Sequence, residues 1–583
     1  MSPPSFVSFL FLFLLASVYA QENQNQCDAS APCDDTVCQV RVKQGVLEGN
    51  VHATGAGFKA DVFLGIPYAK PPIDQLQFKK PEPAESWDGT REAKTYPPRC
   101  IQSRKVGSIP EHLPTDSEDC LYLNVFAPDQ SPDTVAAAYP VMVFVHGGGF
   151  SMGSSHEADM NGVLEGFVAK GVVVVVIQYR VGIWGFFSTG DETVPGNLGL
   201  WDQSMALQWI QENIAEFGGN PNKVTIFGQS AGAASVTALG ISPRSNSLFH
   251  QIIAMSGSIH AKWAVRQETT LKTSSEVAEI VGCKSESSSE VVECLKKKTP
   301  EEQVAAVKEF RNRQKGPAVL SIPFVPVEDG DFFPEPIAVL QKKAPYKPII
   351  IGATQSDGGY LAAPPTAEWN VFHDSFDENA FQSVIDAIFA GSDTKTNITR
   401  SLVKHQYLHL HEKEKLKDPY KTPKVSPKKP LFKQYMQFLS DAFFFAPAEQ
   451  EAKHHSLIGP TWAYSFDHFN PAAFPVEHLY KGAQHATDMV YFFGKTFFEP
   501  FQFDRDDIVV SDLVTTLWTN FAKFGNPTPA AVNGIVWDSY GSDGKYLSIK
   551  ARPKMKVGFH RKAAAFWNEL IPEIVAQCEP KQE

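Results

Sequence analysis

The stretch of sequence that decides the fold is Val224-Thr225-Ile226-Phe227-Gly228-Gln229-Ser230-Ala231-Gly232. A short apolar, β-branched run leads directly into Gly-x-Ser-x-Gly, and the small residues that follow favour the start of a helix. The glycines two residues on either side of Ser230 permit a sharp turn, because a Cβ there would crowd the neighbouring strand and helix. This context predicts a strand, a tight turn and a helix, with Ser230 raised above the edge of a sheet.

The segments on either side of this turn predict a parallel sheet. Buried strands are expected at residues 141–145, 172–178, 224–227 and 348–352, because each is a short β-branched run bounded by Gly or Pro. Between them, residues 200–217 carry apolar side chains at helical spacing. Alternating strands and helices indicate the α/β class, with a large and mostly parallel sheet flanked by helices.

The hydroxyl of the motif serine requires activation before it can react. A serine needs a neighbouring base, and the oxyanion that forms after its attack on a carbonyl needs hydrogen-bond donors. One donor is expected to be the amide of Ala231, at the start of the helix. The others are expected from Gly148 and Gly149, because His146-Gly147-Gly148-Gly149-Phe150 follows the first predicted strand. The two glycine motifs, in this order, predict acyl-transfer chemistry.

Charge and the N-terminal residues limit the partners and the compartment. The formal net charge of -12 disfavours nucleic acid or anionic membranes as main partners. Residues 1–20 are expected to be a secretory signal peptide, because they hold no charged side chain, an apolar run at 6–15 and a small-x-small end, Val18-Tyr19-Ala20. No later run is long and apolar enough to predict a membrane span. In a secreted chain, the sequon Asn397-Ile398-Thr399 makes Asn397 the expected glycosylation site.

The eight cysteines indicate disulfides in an oxidising compartment. Two pairs would each close a short loop: Cys100 with Cys120, and Cys283 with Cys294. Cys578 either bridges two chains or pairs with one of three cysteines near the mature N-terminus, Cys27, Cys33 and Cys38. Neither this pairing nor the oligomeric state follows from the sequence.

Longer stretches of the chain resemble the type-B carboxylesterase and cholinesterase family. They are Phe63-Leu64-Gly65-Ile66-Pro67-Tyr68-Ala69, Ser117-Glu118-Asp119-Cys120-Leu121-Tyr122-Leu123-Asn124-Val125, and the block from Asn197 through Gly232, which includes Leu200-Trp201-Asp202-Gln203 and Phe217-Gly218-Gly219-Asn220-Pro221. The resemblance spans most of the mature chain. It implies the α/β-hydrolase fold, with residues 21–583 forming one domain.

The resemblance also implies a catalytic acid and a base. The family's acid lies in a Gly-x-x-x-x-Glu-Gly pattern, which corresponds here to Gly352-Ala353-Thr354-Gln355-Ser356-Asp357-Gly358 and implies Asp357 in place of the usual Glu. Asp329 and Asp488 remain alternative acids. The base follows the acid in this fold, and His485 matches the family's histidine. In these roles His485 takes the serine proton, and the acid holds the imidazole in the required tautomer.

Two departures from the family bear on the substrate. Gln229 stands where many relatives have Glu, which removes a negative charge beside the nucleophile. No Trp, Tyr or Phe lies between Cys100 and Cys120, whereas cholinesterases place there the Trp on which the choline ammonium rests. Because a cation needs an aromatic face or a carboxylate in a dry pocket, the sequence disfavours choline esters.

The expected function is that of a secreted serine carboxylesterase acting on a small ester, with no metal and no organic cofactor. Within the enzyme class, a lipase or a juvenile-hormone-type esterase of the same fold is an alternative. Outside it, the alternative is a neuroligin-like adhesion or binding protein that keeps the fold without catalysis. Ser230 and His485, the two reactive groups, argue against that role.

Overall fold

A computed structural model describes most of the chain. The described residues are 36–102, 115–129, 138–314, 322–362, 376–410, 430–474, 480–494 and 501–578. The expected signal peptide and two of the N-terminal cysteines, Cys27 and Cys33, lie outside the described residues.

Thirteen strands of the described chain form one sheet. In chain order they are β1 Val37–Val42, β2 Gly45–Ala53, β3 Lys59–Pro67, β4 Thr90–Glu92, β5 Tyr122–Pro128, β6 Tyr139–Val145, β7 Val173–Ile177, β8 Gly219–Gln229, β9 Gln251–Met255, β10 Ile349–Thr354, β11 Thr461–Phe466, β12 Tyr546–Ile549 and β13 Lys554–Lys556. Across the sheet the order is β1-β2-β3-β5-β7-β6-β8-β9-β10-β11-β12-β13, and β4 pairs with β2. The run from β7 to β12 in that order is parallel, and antiparallel strands complete both ends. The four strands expected from the sequence correspond to β6, β7, β8 and β10.

Helices connect the strands of the described chain. In chain order they are α1 Met160–Gly166, α2 Gly182–Phe186, α3 Leu198–Asn213, α4 Ala231–Ile241, α5 Gln267–Ile280, α6 Ser288–Leu295, α7 Pro300–Arg313, α8 Ile337–Lys343, α9 Gly358–Ala362, α10 Glu378–Ile388, α11 Thr394–Lys404, α12 Pro430–Ser440, α13 Ala446–Ser456, α14 Met489–Phe493, α15 Arg505–Phe524, α16 Arg561–Ala564 and α17 Ile571–Gln577. The helix expected at 200–217 is α3, followed by a 3₁₀ turn over Ile214–Phe217. A π-helical segment, Asp441–Phe445, joins α12 to α13.

Both faces of the sheet are buried. In β6, Val141, Val143 and Val145 belong to one apolar core, whereas Met142 and Phe144 belong to the other. This division follows from the period of two along a strand, which sends successive side chains to opposite faces. A strand covered on both faces reads as a continuous apolar run, which is why β6 and β7 could be found from the sequence. The predicted large, mostly parallel sheet flanked by helices is confirmed.

A buried ion pair fixes α3 to the end of β7. The carboxylate of Asp202 accepts hydrogen bonds from the backbone N, the Nε and the Nη2 of Arg180 at 3.0, 2.8 and 2.6 Å. Both side chains are almost fully buried. Removing one member of such a pair leaves an uncompensated charge in the core, so this contact gives Asp202 a structural role.

Both expected disulfides are present. Cys100 is joined to Cys120 and Cys283 to Cys294. Cys38 and Cys578 are free of disulfides to other described cysteines. Asn397 lies exposed in α11.

Candidate active site

Ser230 sits in a strained turn between β8 and α4. Its φ and ψ are 59° and -121°, a conformation that non-glycine residues rarely adopt. Its backbone N donates to the carbonyl of Met255 at the end of β9, 2.8 Å away. The turn holds this serine at the carboxyl end of the parallel strands, where ligand sites of α/β sheets form. Such strain persists only where the surrounding structure enforces it, and it is typical of active sites.

His485 lies between the serine and a carboxylate. Its Nε2 is 2.8 Å from Ser230 Oγ, and its Nδ1 is 2.8 Å from Asp357 Oδ1. Asp357 is fully buried, and His485 is 8% exposed. The structure therefore brings together the three residues singled out in the sequence, in a continuous chain of hydrogen bonds.

The two alternative acids do not take the position beside the imidazole. Asp329 Oδ1 instead accepts from the backbone N of Asp331 and of Phe333, at 3.1 and 3.0 Å. Burial, together with the negative charge of Asp357, raises the pKa of Asp488 to about 8. At neutral pH Asp488 is therefore mainly a neutral acid, which suits it poorly to stabilising an imidazolium.

The loop that carries Asp357 pairs directly with the loop that carries His485. The backbone N of Ser356 donates to the carbonyl of Ala483 at 2.8 Å, and Ser356 forms a β-bridge with Gln484. This pairing draws the two loops together. It explains how an aspartate, one methylene shorter than the family's glutamate, still reaches the imidazole.

Two further donors fix the orientation of the Asp357 carboxylate. Its Oδ2 accepts from the backbone N of Thr354 and from the Oγ of Ser256, each at 2.9 Å. Ser256 was not predicted from the sequence. The signal that could have identified it is its place directly after the buried strand β9, at the same end of the parallel strands as Ser230.

The glycine loop packs against Ser230. A Cβ on Gly147 would lie 3.1 Å from Ser230 Cβ, and one on Gly148, whose φ is 104°, would lie 2.2 Å from the Met152 carbonyl oxygen. Gly149 also has a positive φ, of 58°. Space therefore favours glycine at position 147, backbone conformation favours it at position 149, and both favour it at position 148. The bare amides of Gly148 and Gly149 are candidate oxyanion donors, as is that of Ala231 at the N-terminus of α4.

His146 supports that loop. Its ring stacks on Tyr179 at 4.2 Å, and its Nδ1 is 2.9 Å from the Gly147 carbonyl oxygen. Burial lowers the pKa of His146 to about 4. This histidine is therefore neutral at physiological pH, and its contacts give it a structural role in the loop.

Gln229 contacts the same ring nitrogen of His485 as Ser230 does. Its Nε2 is 3.4 Å from His485 Nε2, and the side chain is buried. A glutamate here would put a negative charge beside the imidazole, whereas glutamine presents a neutral amide.

A series of neighbouring aromatic rings runs from Phe150, at the end of the glycine loop, to His485. Phe150 and Trp263 have ring centroids 6.2 Å apart, Trp263 and Phe444 are also 6.2 Å apart, and Phe444 is 4.8 Å from the His485 ring. Phe444 belongs to the π-helical segment, a kind of helix distortion often found at functional sites. The sequence did not single out Trp263 or Phe444, since apolar rings in a sequence are as readily explained by core packing.

The sheet order, the strained serine turn and the Ser-His-Asp arrangement define an α/β-hydrolase. The chain belongs to the carboxylesterase family, whose model matches residues 36–567.

Its relatives include enzymes and a neuroligin. The chain is 33% identical to Esterase cest-33 of Caenorhabditis elegans, over 87% of this chain and 89% of that protein. It is 34% identical to the medium-chain fatty acyl-CoA hydrolase precursor of Anas platyrhynchos, over 93% and 94%. Neuroligin-2 of Mus musculus is 32% identical over 88% of this chain, which spans 65% of that protein. The relatives thus include enzymes and a neuroligin, the two classes of protein considered in the sequence analysis.

Among the described residues, no helix is long and apolar enough to cross a membrane. Within the same residues, no group of three or more His, Cys, Asp or Glu side chains is arranged to hold a metal ion.

Proposed function

We propose that this protein is a secreted serine carboxylesterase that hydrolyses small carboxylic esters through an acyl-enzyme intermediate. The observation that carries the proposal is the unbroken chain of hydrogen bonds from Ser230 through His485 to Asp357. Each group has the chemistry that its role requires.

In the first half of the reaction, Ser230 Oγ attacks the ester carbonyl while His485 Nε2 takes its proton. The negative charge that develops on the carbonyl oxygen is bound by the amides of Gly148, Gly149 and Ala231. When the intermediate collapses, His485 returns the proton to the departing alcohol, and the acyl group stays on the serine.

In the second half, water attacks the acyl-enzyme and His485 takes the proton of that water. Collapse of the second intermediate returns the proton to Ser230 and releases a carboxylic acid. Throughout, the Asp357 carboxylate accepts the Nδ1–H, which leaves Nε2 free to act as base, and it stabilises the imidazolium.

Secretion rests on separate observations. The two disulfides Cys100–Cys120 and Cys283–Cys294 fit an oxidising compartment. The expected signal peptide and the exposed sequon residue Asn397 agree with passage through the secretory pathway.

A second candidate is an adhesion or binding role without catalysis, which the similarity to Neuroligin-2 raises. A lipase is a third candidate within the enzyme class, since the chain is 32% identical to the bile salt-activated lipase of Rattus norvegicus. The intact hydrogen-bond chain at Ser230 favours an enzyme over the binding role.

The test uses the purified protein, p-nitrophenyl acetate and p-nitrophenyl butyrate. We expect the wild type to hydrolyse at least one ester and to be labelled by a fluorophosphonate, because only an activated serine reacts quickly with that probe. Ser230→Ala is expected to lose the label and nearly all of the rate. A wild type that takes no label and hydrolyses neither ester would favour the binding role, and a variant that keeps most of the rate would exclude Ser230 as nucleophile. A series of longer acyl chains then distinguishes lipase from esterase.

A further inference from the structure

The turn after β9 touches two members of the catalytic chain at once. Ser256 has a φ of 55° and donates from its Oγ to Asp357 Oδ2 at 2.9 Å. The next residue, Gly257, lies so close to the nucleophile that an added Cβ would be 2.3 Å from the Ser230 carbonyl oxygen. A small shift of this turn would therefore move both the orientation of the acid and the backbone of the nucleophile.

The outer end of the turn is attached to a buried carboxylate on another element. Ser258, which is fully buried, donates from its Oγ to Glu451 Oε2 at 2.7 Å. Glu451 lies in α13 and is 1% exposed. A hydrogen bond to an ionised acceptor is about twice as strong as one between neutral groups, so this contact is a firm anchor for a strained turn.

Two histidines make the buried charge of Glu451 tolerable. His455 Nε2 is 3.1 Å from Glu451 Oε1, and His260 Nε2 is 3.3 Å from Oε2. Burial alone would raise the pKa of Glu451, but these histidines and Ser258 outweigh it and lower the pKa to about 2. Glu451 is thus a carboxylate at every physiological pH.

This cluster has no place in the reaction described above. Glu451 contacts His260, His455 and Ser258, and the backbone N of His260 also donates to Ser258 Oγ at 3.1 Å. The cluster reaches the catalytic chain through the Ser256–Ser258 turn. Their cost to folding is considerable, because a buried carboxylate must be desolvated. A function in holding the turn explains why the charge is placed there.

We propose that Glu451 is a positioning residue for the catalytic acid, which it serves by holding, through Ser258, the turn whose Ser256 hydroxyl orients Asp357. The proposal rests on the proposed esterase function. Loss of the anchor changes the orientation of the acid and hence the rate of proton transfer, while the binding of the ester changes little.

The test compares three variants by their kcat and KM for a p-nitrophenyl ester. Glu451→Gln keeps the side-chain volume and removes the charge, and Ser258→Ala removes only a hydroxyl. If Glu451→Gln fails to fold, Ser258→Ala still tests the same contact. The matched control is Glu449→Gln, since Glu449 lies in the same helix, is also buried, and bonds instead to Tyr540 Oη at 3.1 Å. Rates are expressed per fluorophosphonate-titrated site, which removes unfolded protein from the comparison.

We expect kcat to fall at least fivefold in both Glu451→Gln and Ser258→Ala, with KM within twofold, whereas Glu449→Gln keeps both constants within twofold. In a Ser256→Ala background the further loss from Glu451→Gln should disappear, because the two changes act through one path. Folded variants with unchanged kcat, or losses that add fully in the double variant, would overturn the proposal. Wild type run in parallel separates this failure from that of the esterase function, since the latter would leave no activity to compare.

Discussion

Replacing Asp357 with asparagine should reverse the tautomer of His485, the base of the proposed mechanism. The backbone N–H of Thr354 can only donate, and it faces Oδ2 at 2.9 Å. The carbonyl oxygen of an asparagine must therefore take the Oδ2 position, which turns the amide NH₂ toward His485 Nδ1. Nδ1 then becomes an acceptor, the ring proton moves to Nε2, and the base can no longer take the proton of Ser230.

The expected loss in kcat is about 10⁴-fold, the size found when a triad acid is made neutral without a change of shape. At 1.36 kcal/mol for each tenfold change, this is about 5 kcal/mol of lost transition-state stabilisation. The assay is hydrolysis of p-nitrophenyl butyrate at neutral pH with KM and kcat measured separately, and circular dichroism checks the fold.

Asp488→Asn is the matched control. Asp488 is a fully buried acid three positions after His485 in the sequence, and its raised pKa of about 8 means that an amide changes its charge little at neutral pH. We expect its kcat to stay within about tenfold of wild type. If Asp357→Asn loses less than tenfold, or if Asp488→Asn loses as much as Asp357→Asn, the assignment of the acid is wrong.

Three further predictions concern the residues around the catalytic chain. Gln229→Glu places a carboxylate 3.4 Å from His485 Nε2. Because a carboxylate favours the protonated imidazole, the acid limb of the pH profile of kcat/KM should move up by about one pH unit. An acid limb at the wild-type pH would contradict this prediction. Gly148→Ala forces a Cβ to within 2.2 Å of the Met152 carbonyl oxygen. Because this displaces the oxyanion donors, kcat should fall about 10²-fold or more. A kcat near that of the wild type would show that the glycine loop does not bind the oxyanion. Asp202→Ala leaves the Arg180 guanidinium buried without its partner and should destabilise the fold by about 3–5 kcal/mol; thermal denaturation with an unchanged Tm would refute that estimate.

The sequence predicted the parts of this molecule that depend on neighbours along the chain. The β8 strand, the turn at Ser230 and the helix after it follow one another within a few residues, so their pattern is readable. Apolar runs likewise identified β6, β7 and β10, because strands covered on both faces carry no polar alternation.

Relations between distant loops were not readable in this way. The residues alone left three candidate acids, and Asp357 was preferred because of a family resemblance. In the folded chain, the pairing of Ser356 with Ala483 brings Asp357 to His485. Ser256 and Glu451 lie 195 positions apart, and only the folded chain reveals that they belong to one arrangement. Phe444 was missed because an apolar ring in a sequence is as readily explained by core packing.

The parallel strands hold Ser230 and Asp357 at one edge of the sheet, just beyond the ends of β8 and β10. The segments that connect these strands can change in length or composition without altering the hydrogen bonds between the strands. Relatives that differ at about two thirds of their residues can therefore diverge in the connecting segments, where selectivity for one ester over another would arise, without a change in the strands that hold Ser230 and Asp357.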